Sequence, residues 1–502
     1  MTNWLPRVLG SMSIRVGWQF LASTASDAAA RFLPFIFSTT DVALVELTNQ
    51  LMRIWISDAP ISRVSVSSAV TNGSFDTDLT GWTDNDEAGG TSVWVTGGYM
   101  GLTGNGTAAA IRDQTVTVAG ADIGDEHALR VVVNRGPVTL RVGTSTTDDS
   151  YINETELQTG IHSLAFTPTG NFNIRFLSRV KRQVLVDSCN VEASGIVTIA
   201  TPWLAADLGI VRFDQSGDVI FIATFGYTQR RIERRATRSW SVVQYLADDG
   251  PFRIENTGPI TLTPGALSGN TTLTASAALF RSTNAPSTNN AGSLFRVSSN
   301  GQRVTASVTG ANQFTSAIRV TGVDATRVFT VIRSGTWGAT VTLQRSLESD
   351  TGPWVDVTTY TNNATITFDD GLDNQIAWYR IGVKTAEFTS GTVELELNYS
   401  GGSIDGICRV TGFTSSLVVN VEVIVDFGAT TASAFWSEGE WSDRRGWPSA
   451  VRFHEGRLWF CGKDKNQGSV SDSFHSFDDT FEGDAGPINR TIGSGPVDTL
   501  NW

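Results

Sequence analysis

Apolar and polar residues alternate in short runs along most of this chain, and stretches with a 3.6-residue apolar period are hard to find. A period of two puts every second side chain on one face of a strand, so the pattern predicts an all-β protein. Three stretches share one grammar of strand, turn and strand. Residues 32–37, 42–47 and 52–56 predict an antiparallel meander with a turn at Asn49-Gln50. Residues 219–223, 230–235 and 240–243 predict a second, turning at 214–218 and at Gly226-Tyr227. The third lies near the end. There Val451 and Phe453 alternate with Arg452 and His454, and Leu458 and Phe460 with Trp459 and Cys461. Glu455-Gly456 supplies the turn between them, because glycine tolerates positive φ.

Between these stretches the texture changes. Residues 66–195 predict strands at 115–118, 128–133, 138–142, 162–166, 173–177 and 184–186, enough for a two-sheet sandwich. Residues 251–310 are rich in Thr, Ser, Asn and Gly, with a loop at 282–292 poor in apolar residues. Residues 311–400 predict a small antiparallel sandwich, and 401–430 two more strands. The meanders at 1–65, 196–250 and 431–502 therefore read as blades of one discontinuous β-propeller-like body, broken by inserted β-sandwich regions at 66–195 and 251–430. Insertion at a surface turn costs little, and a repeated blade grammar is what a propeller requires. A string of consecutive domains is the alternative. A propeller that does not close leaves unpaired edges. The ending at 499–502 thus implies either a truncated third part or a sheet completed by another chain. The opening stretch 3–17, apolar and basic, reads as a strand that pairs with something distant.

At 502 residues the chain is too long for one core. Its formal net charge of −13 is the wrong sign for a protein that grips nucleic acid through phosphates. An acidic surface would instead repel DNA, which suits a passage as well as it suits plain solubility. Cys189, Cys408 and Cys461 are odd in number and widely spaced, so neither a disulfide framework nor a zinc site is expected. No apolar run is long enough for a membrane span, and residues 1–20 lack the apolar stretch of a signal peptide. The four histidines fall in no ligand spacing, and no nucleophile elbow, P-loop or dinucleotide fingerprint appears in its proper setting. No catalytic residue and no cofactor is expected.

Two resemblances sharpen this picture. Asn72-Gly73-Ser74-Phe75, followed by Leu79 and Gly81-Trp82, resembles the entrance of jelly-roll carbohydrate-binding modules of the galactose-binding-like type. Residues 184–192 are similar to that family's last strand. In that family the Phe and Trp mostly pin the first strand to the core. Near the end, Trp447-Pro448-Ser449, Val451, Phe453 and Arg457-Leu458-Trp459-Phe460 resemble a segment of the tail nozzle proteins of short-tailed phages, also called tubular tail protein B. Phe477, Asp478-Asp479 and Asp484-Ala485-Gly486-Pro487-Ile488-Asn489 match the next segment in that family, and residues 31–39 and 52–54 are similar to two of its earlier segments. The likeness covers 14–57, 202–245 and 446–500. Family members often carry more sequence before the part matching 13–20, and much more after 502.

The nozzle resemblance implies a structural, non-enzymatic virion protein of the tail, assembled in the host cytoplasm. It implies a homo-oligomeric ring of six beneath the portal and adaptor, with DNA passing through without specific binding. The inserts would face outward and hold tail fibres or spikes. A glycan-binding adhesin acting through the jelly roll is the alternative, and a polysaccharide depolymerase a more distant one.

Three groups of residues are candidates for contacts. Arg230, Arg231, Arg234, Arg235 and Arg238 crowd one strand. By alternation Arg231 and Arg235 face one side, and Arg230, Arg234 and Arg238 the other. They suit contact with a neighbouring subunit, transient DNA contact, or local ion pairs. Trp82, Trp94 and Tyr99 suit either sugar stacking or the sandwich core. Asp76 and Asp187, at the two ends of the jelly roll, suit either polar turns or a shared calcium ion.

Overall fold

The computed structural model describes residues 4–6, 12–14, 20–39, 41–281, 292–373, 375–481 and 483–491. The loop at 282–291 and the chain end from Ile492 lie outside the described residues, as does most of the opening stretch. Within that stretch Trp4–Pro6 pairs with Met12–Ile14, a local hairpin rather than a distant partnership. The chain is all-β, built from several sheets, and among the described residues none of them closes on itself.

The first meander consists of Arg31–Ile36, Val42–Thr48 and Leu51–Ile56, paired antiparallel in that order. Gln50 takes a φ of 56° in the turn at Asn49-Gln50. The middle meander has four strands, Arg212–Ser216, Val219–Thr224, Tyr227–Ala236 and Ser239–Gln244. The last has Ala450–His454, Arg457–Gly462, Lys465–Gly468 and Ile488–Thr491. Its turn at Glu455-Gly456 has φ of 48° and 69°, the double positive φ of a two-residue hairpin turn.

These meanders pack face to face, and strand alternation explains how. On Val219–Thr224, Ile220 and Ile222 point one way, Phe221 and Ala223 the other. The first pair joins Ile232, Trp240 and Val242 against Leu33, Phe35, Val45 and Ile54 of the first meander. The second pair joins Tyr245 and Ala247 against Val451, Leu458, Phe460 and Phe477 of the last. The middle meander is thus buried on both faces, by segments far away in the chain. Two polar links fasten the second junction. The Phe453 amide donates to Asp214 Oδ2 at 2.8 Å, and Tyr245 Oη donates to the Phe474 carbonyl at 2.7 Å.

The first insert is a two-sheet, jelly-roll-like sandwich. One sheet runs Thr91–Val95, Tyr99–Thr103, Val184–Val191, His127–Arg135 and Gly160–Phe166; the other runs Thr83–Asp84, Ala110–Val116, Phe172–Ser178, Val138–Gly143 and Ile152–Leu157. Its ends meet where Gly195 pairs with Arg63 and Ile196 with Ser62. The junction is tied by the buried Arg63, whose guanidinium bonds Glu192 at 2.8 Å and Glu126 at 2.9 Å. The sandwich does not stand apart from the meanders. Gly160–Phe166 pairs with Ser239–Gln244, so one sheet of the sandwich continues into the middle meander as nine strands. That pairing covers an edge that would otherwise lie open. At the seam a Cβ on Gly160 would sit 2.3 Å from the Val242 carbonyl oxygen, so no larger residue fits.

The second insert leaves and returns through adjacent strands. Phe252 bridges to Gly439, and the Arg253 amide donates to the Glu438 carbonyl at 2.9 Å. Its exit strand, Trp436–Glu438, belongs to the insert's own sheet beside Leu294–Val308, so the insert extends to about residue 440 rather than 430. It contains two cores in series. The nearer one holds Leu273, Phe295, Val410 and Val421; the farther one holds Phe329, Leu343, Tyr379 and Leu397. Leu294–Val308 and Ala377–Phe413 run through both. The nearer sandwich touches the first insert through Lys181 and Asp426 at 2.5 Å, and through the Gln183 amide to Asn270 Oδ1 at 2.6 Å.

Candidate functional site

The arginine-rich strand Tyr227–Ala236 belongs to the middle meander, which packs between the first and the last. Ile232 points into the core against the first meander, and Arg230 and Arg234 share its face. Arg231, Glu233 and Arg235 share the other. Arg238 does not follow the alternation, because the strand ends at Ala236 and Arg238 sits in the turn before Ser239–Gln244.

Local ion pairs are the reading that the geometry realises for four of the five. Arg234 pairs with Asp41, and with Asp218 at 3.0 Å, while its guanidinium stacks 4.8 Å from the Phe37 ring centre. Arg231 pairs with Glu233 at 3.1 Å and reaches His475 Nε2 at 2.7 Å. A guanidinium only donates, so that imidazole nitrogen carries the lone pair. Burial, followed by the Arg231 charge, lowers His475 to about 4, which keeps it neutral. Arg235 pairs with Glu233 at 2.7 Å and bonds Thr155 Oγ1 at 2.6 Å and the Glu156 carbonyl at 2.9 Å. Arg238 bonds Glu126 and the Ser62 carbonyl, both at 2.5 Å. These side chains staple the middle meander to the first meander, the last meander and the first insert. Arg230 differs. Its Nη1 is buried with no hydrogen-bond partner among the described residues, and burial lowers its pKa to about 10.

Trp82 is 4% exposed and packs edge-on to Phe75 at 5.6 Å and against Phe176 at 5.7 Å. It takes the core position, so its ring has no face for a sugar. Trp94 is 37% exposed, with its indole N–H donated to the Phe75 carbonyl at 2.7 Å. Tyr99 is half-buried and pairs across the hairpin with Val95. Trp94 sits on the edge strand of its sheet and Tyr99 on the strand next to it, apart from the enclosed Trp82.

Asp76 and Asp187 do come near one another. Burial holds the Asp187 carboxyl above the usual carboxylate range, and the Asp76 charge adds to this. Asp76 Oδ2 accepts from Ser74 Oγ at 2.7 Å. Among the described residues no group of three metal-ligating side chains forms, here or elsewhere. All three cysteines are free thiols, and burial raises each of them.

Sequence reasoning passed over Arg63, Glu126 and Glu192. Their partners lie so far along the chain that no local spacing could signal them.

No family model matches the chain, and no curated protein matches it. Among solved structures, the N-terminal CBM22-1-CBM22-2 tandem domain from Paenibacillus barcinonensis Xyn10C aligns at 13% identity, over 73% of this chain and 98% of that one, with a TM-score of 0.18. An IolB-like protein from Salmonella typhimurium aligns at 8% identity, over 59% of this chain and 83% of that one, with a TM-score of 0.12. Likenesses of that size carry no weight for what the chain does.

Proposed function

We propose that this chain is a structural subunit of a phage tail nozzle, a ring-shaped conduit for DNA below the portal and adaptor. The observation that carries the reading is the stack of three meanders from the beginning, middle and end of the described chain. Sheets packed face to face in series are the arrangement of adjacent propeller blades. In a series of this kind the first and the last sheet each keep an outer face. On the first meander that face exposes Phe32, Ile36, Val42 and Leu44. An apolar sheet face of this kind is suited to burial against another subunit.

In a closed ring every subunit presents the same surface to the axis. The formal net charge of −13 favours a lumen along which DNA slides without sticking. The two inserts, each entering and leaving through adjacent strands, would project from the ring and carry fibres or spikes. The purified chain is expected to form a closed ring of six by mass photometry and negative-stain microscopy at micromolar concentration. A chain that stays monomeric across that range would refute the proposal.

A further inference from the structure

A cleft of about 290 Å³ opens between the entrance of the second insert and the last meander. Five cationic side chains line it, Arg253, Arg444, Arg445, Lys463 and Lys465, against two carboxylates, Glu440 and Asp464. The excess is local and opposite in sign to the chain's net charge of −13. A concave site of one sign focuses the field on ligands of the other. The cations are held in place from behind. Arg445 pairs with Glu438, Arg253 reaches Glu440 at 3.4 Å, and Lys465 reaches Glu440 at 3.2 Å. Lys463 caps the Arg445 carbonyl and stays exposed. Burial lowers the Arg444 pKa, and Arg445, Arg281 and Arg253 lower it further against the opposing Glu438.

Gln467 is an independent indication of a ligand. It lines the same cleft and is 2% exposed. Its Oε1 accepts from Trp441 Nε1 at 2.7 Å, but its Nε2 has no hydrogen-bond partner among the described residues. A buried donor left unmade is costly, and an acceptor from a ligand would satisfy it. Trp447 forms another part of the wall, fixed by its indole N–H donating to Asp443 Oδ1 at 2.8 Å.

We propose that this cleft binds a sugar acid: a single carboxylate-bearing pyranose, its anion satisfied by Lys463, Lys465 and the Gln467 amide, its ring against Trp447. The cations and the orphaned donor select the carboxylate, and the indole suits the ring. The volume is at the small end for ligand pockets, which favours one ring over a longer segment. This site is independent of the nozzle reading. The ligand is either a free sugar acid or one unit of an acidic polysaccharide.

Calorimetric titration of the full chain at low salt tests it with D-glucuronate, D-glucose, inorganic phosphate and a galacturonan oligosaccharide. Glucuronate is expected to bind at least about tenfold more tightly than glucose, as a charge-assisted bond predicts, and to weaken as salt rises. Gln467→Glu keeps the acceptor for Trp441 and removes the donor, and should weaken glucuronate by about tenfold or more. Lys463→Gln, at an exposed position that does not threaten folding, should weaken it several-fold with an unchanged melting temperature. Tighter binding of the oligosaccharide than of glucuronate assigns the polymer, and equal binding assigns the free acid. Equal affinity for glucose and glucuronate, phosphate binding as tightly as glucuronate, no binding by any probe, or no effect of Lys463→Gln would each overturn the proposal.

Discussion

Phe35→Ala probes whether the first and middle meanders are one folding unit. Phe35 is fully buried and stands edge-on to Trp240, with ring centres 5.0 Å apart, and the Arg234 guanidinium lies 5.6 Å from its ring. Truncating a buried phenylalanine costs about 3–5 kcal/mol through lost transfer energy and the cavity left behind. The aromatic pair contributes about 0.5–1.5 kcal/mol within that sum. At about 1.4 kcal/mol per factor of ten, protected amides that open with this core should exchange roughly a hundred- to several thousandfold faster. Native-state hydrogen exchange read by mass spectrometry is the assay. Acceleration is expected in Val42–Thr48 beside the mutation, and equally in Val219–Thr224 and Ser239–Gln244 across the core. Acceleration confined to the first meander, with the middle meander unchanged, would refute the shared core.

Three other outcomes are expected. His162 is fully buried, its Nε2–H donating to the Gln158 carbonyl at 2.9 Å and its Nδ1 accepting from Ser241 Oγ at 2.8 Å, and burial lowers its pKa to about 4. The unfolded chain binds this proton more readily, near pH 6.5, so stability is full above that value. It should fall by roughly 3 kcal/mol as pH drops toward 4, a loss that urea titrations across pH will show blunted in His162→Gln. Arg63→Ala removes a guanidinium that bonds both Glu192 and Glu126 at the junction of the first insert, while Arg130 still pairs with Glu192 at 2.5 Å, so the cost in urea unfolding should be about 1.5–3 kcal/mol, that of a lost charge-assisted hydrogen bond. A zero-length carbodiimide cross-link should join Lys181 to Asp426, which are 2.5 Å apart, and peptide mass spectrometry should recover it from the monomer.

The strands were legible because alternation is a local property. The runs at 32–37, 42–47 and 52–56, and the Glu455-Gly456 turn, needed only neighbouring residues to be read. Long-range pairing lay beyond the sequence. Nothing near Gly160 indicates that its strand continues into Ser239–Gln244, because that hydrogen-bonded edge is chosen by three-dimensional proximity. The same holds for the arginines. Their crowding was visible, but their partners, Asp41, Thr155, Glu126 and His475, come from other segments. Parity misplaced Arg238 because a turn interrupts the strand after Ala236. The exit of the second insert was set too early, since Trp436–Glu438 is too short a strand to show a period. For Trp82 an aromatic residue at a sandwich entrance fits a core or a platform equally well until its neighbours Phe75 and Phe176 are known.

The most direct measurement is a cryo-EM reconstruction of the assembled chain. A nozzle subunit predicts the three meanders stacked in one body, repeated side by side around an axial opening, with both inserts outside. A map that places the first, middle and last meanders in separate globules, or a lumen lined mainly by Arg and Lys, would contradict it.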